Sequence, residues 1–131
     1  MTRRSCVSST PSNTVLSLHE QSLAQFGGSA GVRDGGLLDS ALGRPQNLFA
    51  YGKPALFELA GSYAFGLAKN HPFIDGNKRT AFVTAVLFLE LNGWRFQANE
   101  VDATVRTLAL AAGEMTEAQF AAWLKRNSRK A

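Results

Sequence analysis

The sequence predicts an all-α fold, a bundle of about six helices around a buried central helix. Three observations support this class of fold. Apolar residues recur at the three- and four-residue spacing of amphipathic helices, Gly and Pro separate the helical segments, and the alternation typical of a strand occurs only at residues 94–97. The longest apolar run, residues 81–91, is apolar almost all round, which is typical of a helix that others surround.

Length and charge are those of a single domain without the basic surface typical of nucleic-acid binders. The chain has 131 residues, of which 45% are hydrophobic, and no stretch is long enough to cross a bilayer. The net charge is +4, but six of the 14 basic residues lie near the two ends, which leaves eight against all 10 acidic residues. We therefore expect no direct contact with nucleic acid or membrane. The single cysteine and the lack of an apolar leader indicate a cytoplasmic protein.

The N-terminal part is expected to consist of a tail, a helix and a loop. Residues 1–13 are polar and lack periodicity, which predicts a disordered tail before a domain that spans residues 14–127. Asn13 or Thr14 is the predicted cap of the first helix, which should end in a glycine-rich loop at residues 27–36.

Two further helices are predicted before the central one. Residues 37–42 should form a short helix that ends before Pro45, because the residue preceding a proline avoids helical angles. Residues 55–69 show helical periodicity over their whole length. Gly61 and Gly66 inside that segment cost about 1 kcal/mol each relative to Ala, and they indicate close packing against another helix.

The C-terminal part is predicted to contain two helices and a tail. Asn99 or Asp102 can cap the first helix, which should run to Ala112 and bury four apolar side chains: Val101, Val105, Leu108 and Leu110. Thr116 is the predicted cap of the last helix, whose buried face should contain Phe120, Trp123 and Leu124. Residues 128–131 are predicted to be a basic tail.

The densest chemistry lies at residues 71–79, where a loop leads into the central helix. Lys78 and Arg79 fall in the first turn, where the positive end of the helix dipole makes cations locally unfavourable. Free backbone N–H groups at the same place bind anions. Gly76 allows the backbone to approach a ligand closely, and Asn77 can donate a further hydrogen bond. This pattern predicts a phosphate-binding site.

His71 and Asp75 favour catalysis over simple anion binding. His71 can exchange a proton near neutral pH, and Asp75 is an oxygen ligand suited to Mg²⁺ beside phosphate. Phe73 and Ile74 are expected to point inward and anchor the turn. An alternative is a plain helix start, in which Asp75 caps the helix, His71 packs and the two cations are solvated. His19, inside the first helix, is interpreted as a packing or hydrogen-bonding histidine.

The motif at residues 71–79 resembles the signature of the Fic/Doc family at every position, and it reads His71-Pro72-Phe73-Ile74-Asp75-Gly76-Asn77-Lys78-Arg79. Residues 26–29, 33–42, 44–47 and 64–68 are also similar to the Doc (death-on-curing) toxins of that family. The resemblance covers residues 14–126 and implies the all-α Fic fold.

The resemblance also implies a role for each residue of the motif. His71 would act as the general base on an acceptor hydroxyl, and Asp75 would hold Mg²⁺. The phosphates of ATP would be bound by four residues, Gly76, Asn77, Lys78 and Arg79, of which Arg79 would also stabilise charge during transfer.

The residue at position 78 bears on which group is transferred. Many Fic enzymes have Gly there and transfer AMP to a target hydroxyl, whereas Doc toxins have Lys and phosphorylate a threonine of elongation factor Tu, which arrests translation. Lys78 therefore implies a toxin kinase; the alternatives are an AMP-transferring enzyme and an inert module that only binds a partner. No glutamate is followed by Gly or Asn, so self-inhibition of the Fic kind is not expected, and a Phd-like antitoxin protein is the implied partner.

Overall fold

The computed structural model describes residues 10–131, and residues 1–9 of the predicted tail lie outside that range. The elements follow in chain order: α1 (Ser12–Phe26), α2 (Gly35–Tyr51), α3 (Leu56–Asn70), α4 (Asn77–Leu91), β1 (Trp94–Phe96), α5 (Glu100–Ala112), α6 (Glu117–Arg126) and β2 (Ser128–Lys130). The predicted all-α fold with six helices is confirmed, and the described residues add one small two-stranded sheet.

Helices α3 and α4 share the centre of the bundle. The predicted central helix α4 packs on α1, α3, α5 and β1, and α3 packs on α2, α4, α5 and α6. The two glycines of α3 lie at its closest contacts, as predicted. A Cβ atom at Gly61 would lie 3.3 Å from the Cβ of Ala121 in α6, and one at Gly66 would lie 3.1 Å from the Cα of Ala41 in α2. Their small size lets α3 sit between these two helices.

Residues 10–13 are ordered, which corrects that part of the predicted tail. Thr10 is fully buried, and its backbone N–H donates to the hydroxyl of Tyr63 in α3 (3.0 Å). Helix α1 begins at Ser12 with Pro11 as its N-cap residue, so the predicted caps Asn13 and Thr14 already lie inside the helix. The sequence could not indicate this anchor because the bond joins residues 53 positions apart.

Helix α2 is one continuous helix, and the predicted break at Pro45 is wrong. Asp34 caps it by accepting from the backbone N–H of Leu37 (3.0 Å). An interior proline costs about 3 kcal/mol. Leu38, Leu42 and Pro45 are buried on the core-facing side, and burying each leucine side chain returns about 1.5–3 kcal/mol. Burial thus outweighs the local cost.

Helix α5 has the predicted caps and bounds but a different orientation. The side chain of Asn99 accepts from the backbone N–H of Asp102, and Gly113 ends the helix in a left-handed conformation. Three side chains that the sequence places in the core form an exposed apolar strip instead: Val101 (72% exposed), Val105 (55%) and Leu108 (47%). We call this strip the outer face of α5. Leu110 is buried, as predicted.

The orientation of α5 includes a polar contact with α6. The indole N–H of Trp123 in α6 donates to the Oδ2 atom of Asp102 (2.9 Å), and this bond is the largest cause of the lowered pKa of that carboxyl group. Asp102 therefore faces α6. Ala103 and Thr107 then face the core, which leaves the larger apolar residues outside.

The C-terminal residues are part of the fold, which corrects the predicted tail at residues 128–131. Strand β2 pairs antiparallel with β1, with Arg129 opposite Arg95 and Ser128 opposite Phe96. The rings of Phe96 and Trp123 lie 5.2 Å apart in an edge-to-face contact, which holds the sheet on the bundle. Thr116 caps α6 and its predicted face is buried, both as expected. Within residues 10–131, no helix combines the length and apolar character needed to cross a membrane.

Candidate active site

The candidate active site is the turn between α3 and α4, residues 71–77, which we call the motif turn. His71 is the C-cap residue of α3 and has left-handed backbone angles (φ 49°, ψ 54°). Among residues 10–131 it is the one non-glycine residue with positive φ. This conformation costs an L-residue about 1–2 kcal/mol, and it persists only where neighbouring contacts enforce it.

Asn77 is the internal brace of the motif turn. Its Oδ1 atom accepts from the backbone N–H of Phe73 (2.8 Å), and its Nδ2 atom donates to the carbonyl of Phe73 (2.9 Å). Because both bonds fix the amide orientation, the NH₂ group faces the Nδ1 atom of His71 at 3.4 Å. Asn77 is buried, and its amide is already engaged. The structure gives it a positioning role, and its predicted contact with phosphate stays a prediction.

His19 supports the same turn from α1. Its ring stacks on that of Phe73 (centroids 3.9 Å apart), and its Nε2 atom lies 2.7 Å from the carbonyl oxygen of Asp75. Since a carbonyl only accepts, the Nε2 atom carries the proton. The prediction of a packing and hydrogen-bonding histidine is confirmed. Phe73 is buried as predicted, whereas Ile74 is exposed and lies over the glycine-rich loop, where a Cβ at Gly31 would approach it to 3.1 Å.

The imidazole of His71 is exposed and available for proton transfer. Partial burial is the largest cause of its lowered pKa, followed by the positive charges of Lys78 and Arg33. A lowered pKa keeps the ring neutral near neutral pH. A neutral imidazole can take a proton from a hydroxyl group, which is the chemistry of a general base.

The start of α4 presents an anion-binding helix end beside His71. Gly76 is the N-cap residue with left-handed angles (φ 76°), and no acidic residue lies in the first turn. Lys78 and His71 line a common cavity of about 560 Å³. The guanidinium carbon of Arg79 instead lies 3.5 Å above the ring of Phe26 in α1. The structure therefore brings Lys78 and His71 together and holds Arg79 against α1 through a cation–π contact.

Asp75 is the one residue of the motif suited to hold Mg²⁺. Its carboxylate is exposed; Oδ1 accepts from the backbone N–H of Gly76 (2.8 Å) and Oδ2 accepts from that of Ser29 (3.3 Å). Within residues 10–131, no cluster of three or more His, Cys, Asp or Glu side chains could hold a metal alone. Mg²⁺ is commonly held by one or two carboxylates together with phosphate oxygens and water, so a single Asp75 fits this group.

A second cavity, of about 390 Å³, adjoins the first between α1, α4 and α5. It includes Phe26, Lys78, Arg79 and Phe82, and Leu108 lies at the border of both cavities. The two cavities together form a groove that runs along α5 past the motif turn. Its apolar wall is therefore continuous with the start of α4.

The sequence did not indicate the segment that borders the motif turn on its other side. Val32 and Phe73 form an antiparallel bridge, and the backbone N–H of Ile74 donates to the carbonyl of Gly31 (3.1 Å). We call residues 31–34 the bracing segment. Two signals are available: the charged pair Arg33-Asp34 in a loop otherwise rich in glycine, and the similarity of residues 33–42 to the Doc toxins.

An exposed imidazole, an exposed carboxylate and a cationic helix start on a helical scaffold define a class: a helical enzyme that handles a phosphate group. The Fic/DOC family model matches residues 9–89, which is more than half of the chain. The chain therefore belongs to the Fic/Doc family. The family assignment that the motif at residues 71–79 suggested is confirmed.

Two curated relatives are similar to this chain. The protein kinase doc of Escherichia phage P1 is 36% identical over 114 residues, which is 86% of this chain and 89% of that protein. The toxin Doc of Mycolicibacterium smegmatis is 47% identical over 78 residues, which is 56% of this chain and 58% of that protein. Both of these relatives carry the name Doc.

Proposed function

We propose that the chain is a Doc-like toxin kinase that transfers the γ-phosphoryl group of ATP to a protein hydroxyl. The observation that carries the proposal is the placement of Lys78 beside His71 at the N-terminus of α4, in one cavity. The similarity to a protein kinase and to a toxin, both named Doc, supports it. The proposed acceptor is a threonine of a translation factor such as elongation factor Tu, which places the activity in the cytoplasm.

In the proposed reaction, His71 takes the proton of the acceptor hydroxyl. The hydroxyl oxygen bonds to the γ-phosphorus while the bond from that phosphorus to the β,γ-bridging oxygen breaks, and ADP leaves. The lowered pKa of His71 favours the neutral ring that this step needs. Mg²⁺ held by Asp75 would neutralise charge on the phosphates. The first-turn N–H groups of α4 and Lys78 would stabilise charge on the transferred group.

Transfer of AMP is the alternative within the same site. A glycine at position 78 would leave space for a phosphate against the backbone, whereas the lysine side chain occupies that space and adds a charge. The nucleotide would then bind in the direction opposite to that in the AMP-transferring enzymes, with its γ-phosphate next to the acceptor. Lys78 therefore favours phosphoryl transfer.

The proposed partner is a Phd-like antitoxin that covers the outer face of α5. Val101, Val105 and Leu108 are exposed, and Phe26 of α1 is also exposed beside the same groove. An apolar strip with this spacing suits a segment that folds into a helix on binding. Such a segment would lie across α1 and α5 and next to His71.

Labelled ATP tests the proposed reaction. The chain is incubated with a bacterial lysate and with ATP that carries the label at the γ or at the α position. We expect label on protein from the γ position only, and none with His71→Ala. Transfer from the α position alone would replace the kinase proposal with AMP transfer. Expression of the unmodified chain and of His71→Ala in bacteria is a separate test. Equal growth arrest by the two would favour the inert binding module.

A second variant tests the role of Lys78 in the choice of group. In Lys78→Gly, the ratio of γ to α label on protein should fall, because the space beside the backbone is opened. An unchanged ratio would show that the side chain does not set the orientation of the nucleotide. Arg95→Gln, an exposed arginine in β1, is the control for loss of one positive charge.

A further inference from the structure

Three consecutive carbonyl groups face the bracing segment. They belong to Asn70, the last residue of α3, and to the first two motif residues, His71 and Pro72. Helix ends leave carbonyl groups without helical partners, and many helices solve this with a glycine at the left-handed position. Here that position is His71, and Pro72 follows it, which has no N–H group to donate. The carbonyls of residues 70–72 therefore need donors from elsewhere in the chain.

Arg33 and its neighbour supply all of these donors. The Nε atom of Arg33 donates to the carbonyl of His71 (2.8 Å), and its Nη2 atom donates to the carbonyl of Asn70 (3.0 Å). The backbone N–H groups of Arg33 and Asp34 both donate to the carbonyl of Pro72 (2.7 and 3.1 Å). Three consecutive carbonyls are thus bonded to two adjacent residues that lie about 38 positions earlier in the chain.

The planar shape of the guanidinium explains the choice of residue. Two of its N–H groups reach neighbouring carbonyls at once, which a lysine ammonium on its flexible stem does with less precise geometry. The contact fixes the peptide units on both sides of the Cα atom of His71, and the relative orientation of those units defines the left-handed angles. We infer that Arg33 is a positioning residue that holds His71 in its left-handed conformation and aims the imidazole into the cavity shared with Lys78.

Charge gives Arg33 a second effect on the same imidazole. The charged groups that surround His71 are Arg33 from the bracing segment, Lys78 from α4 and Glu114 from the end of α5. The first two disfavour the protonated ring. Removal of the Arg33 charge should therefore raise the pKa of His71.

NMR of the two histidines tests the inference without any enzymatic activity. The chain contains only His19 and His71, so ¹³C,¹⁵N-histidine labelling gives two assignable carbonyl signals and two imidazole titrations. We compare the unmodified chain with Arg33→Gln, Arg33→Lys and the control Arg95→Gln. In Arg33→Gln the His71 carbonyl signal should move and the imidazole pKa should rise, while the His19 carbonyl in mid-α1 stays in place. Arg33→Lys should move the carbonyl signal but leave the pKa near its original value, because the charge remains.

Kinetics supply the second readout and rest on the proposed function. Arg33→Gln should lower kcat about 100-fold with KM for ATP within about twofold, and Arg33→Lys should recover part of that loss, since misplacement by about 1 Å costs a factor of this size. A merely structural role would lower the melting temperature but leave kcat unchanged in the folded protein, and that result would overturn the inference.

The experiments distinguish failure of the proposed kinase function from failure of the inference on Arg33. If the unmodified chain transfers no label, the proposed function fails, while the NMR signals of His71 still decide the role of Arg33. If Arg33→Gln does not fold, as judged by circular dichroism, Arg33→Lys decides by the same carbonyl signal. An unchanged signal in the lysine variant would then overturn the inference.

Discussion

The motif turn and the outer face of α5 line the same groove, but they are built in opposite ways. The turn contains a strained residue, and its polar groups are bonded to α1, to α4 and to the bracing segment. The outer face of α5 is a strip of exposed apolar side chains. The first arrangement gives fixed positions to groups that react. The second gains free energy when another apolar surface covers it. We therefore propose that the turn performs the chemistry and that the strip binds the partner.

Removal of the Asn77 side chain should give the largest loss of activity, and it tests whether hydrogen bonds hold the motif turn rigid. Asn77→Ala deletes both bonds to the backbone of Phe73 and leaves buried polar groups without partners, which costs about 1–3 kcal/mol. We expect kcat to fall about 100-fold because His71 loses its orientation. Urea unfolding and γ-label transfer measure the two effects.

Asn92→Ala is the matched control at the other end of α4. That residue also donates a side-chain hydrogen bond to a backbone carbonyl, of Phe88 (2.8 Å). Its loss should lower stability to a smaller extent and leave kcat unchanged. If both variants lose activity equally, general destabilisation rather than the turn explains the result.

The pH dependence of catalysis tests the charge environment of His71. Because burial and the charges of Lys78 and Arg33 lower its pKa, the acid limb of kcat/KM should have its midpoint below the ordinary histidine value of about 6.5. The rate should fall about tenfold per pH unit below that midpoint. Lys78→Met should move the limb to higher pH. A limb at or above the ordinary value in the unmodified chain would contradict the lowered pKa.

The sequence predicted features that depend on neighbouring residues better than features that depend on contacts between helices. Caps such as Thr116 and Asn99 act over three residues, and both predictions are confirmed. The continuous α2 through Pro45 and the outward face of α5 depend on packing against other helices, so local patterns gave the wrong answer.

The same limit holds within the candidate site. The motif residues lie in nine consecutive positions, so the sequence identified them together. The residues that hold the motif in place lie far from it in the sequence. His19 and Asp75 are 56 positions apart, and Arg33 and His71 are 38 positions apart. Such contacts have no local pattern, so the similarity of residues 33–42 to the Doc toxins pointed to the segment, but the role of Arg33 emerged only from the three-dimensional structure.

A charge on the outer face of α5 should separate association from catalysis. Val101 lies at the start of α5, whereas the residues of α5 that line the cavity of His71 begin at Val105. Burial of a valine is worth about 1.5–3 kcal/mol, so Val101→Asp should weaken antitoxin binding about tenfold or more. Folding should be unaffected, since the residue is exposed and an acid in the first helical turn is favourable.

Calorimetric titration with the antitoxin measures this loss, and γ-label transfer measures the retained activity. Ala118→Asp, on the exposed side of α6, is the control for an added negative charge. Equal affinities of the two variants would show that the antitoxin binds elsewhere.

The smallest expected effect concerns the strain at His71 itself. Glycine adopts left-handed angles without the steric cost of about 1–2 kcal/mol, but it also raises the entropy of the unfolded chain, which offsets about 0.5–1 kcal/mol. His71→Gly should therefore be more stable than His71→Ala by about 0.5–1 kcal/mol in urea unfolding, although both lack the base. Lys69 lies two residues earlier, inside α3, and there the order should reverse, with Lys69→Gly less stable than Lys69→Ala by about 1 kcal/mol. If the glycine variant is less stable than the alanine variant at both positions, the backbone of His71 is not strained. Neighbouring contacts would then not be needed to hold the motif turn in its conformation.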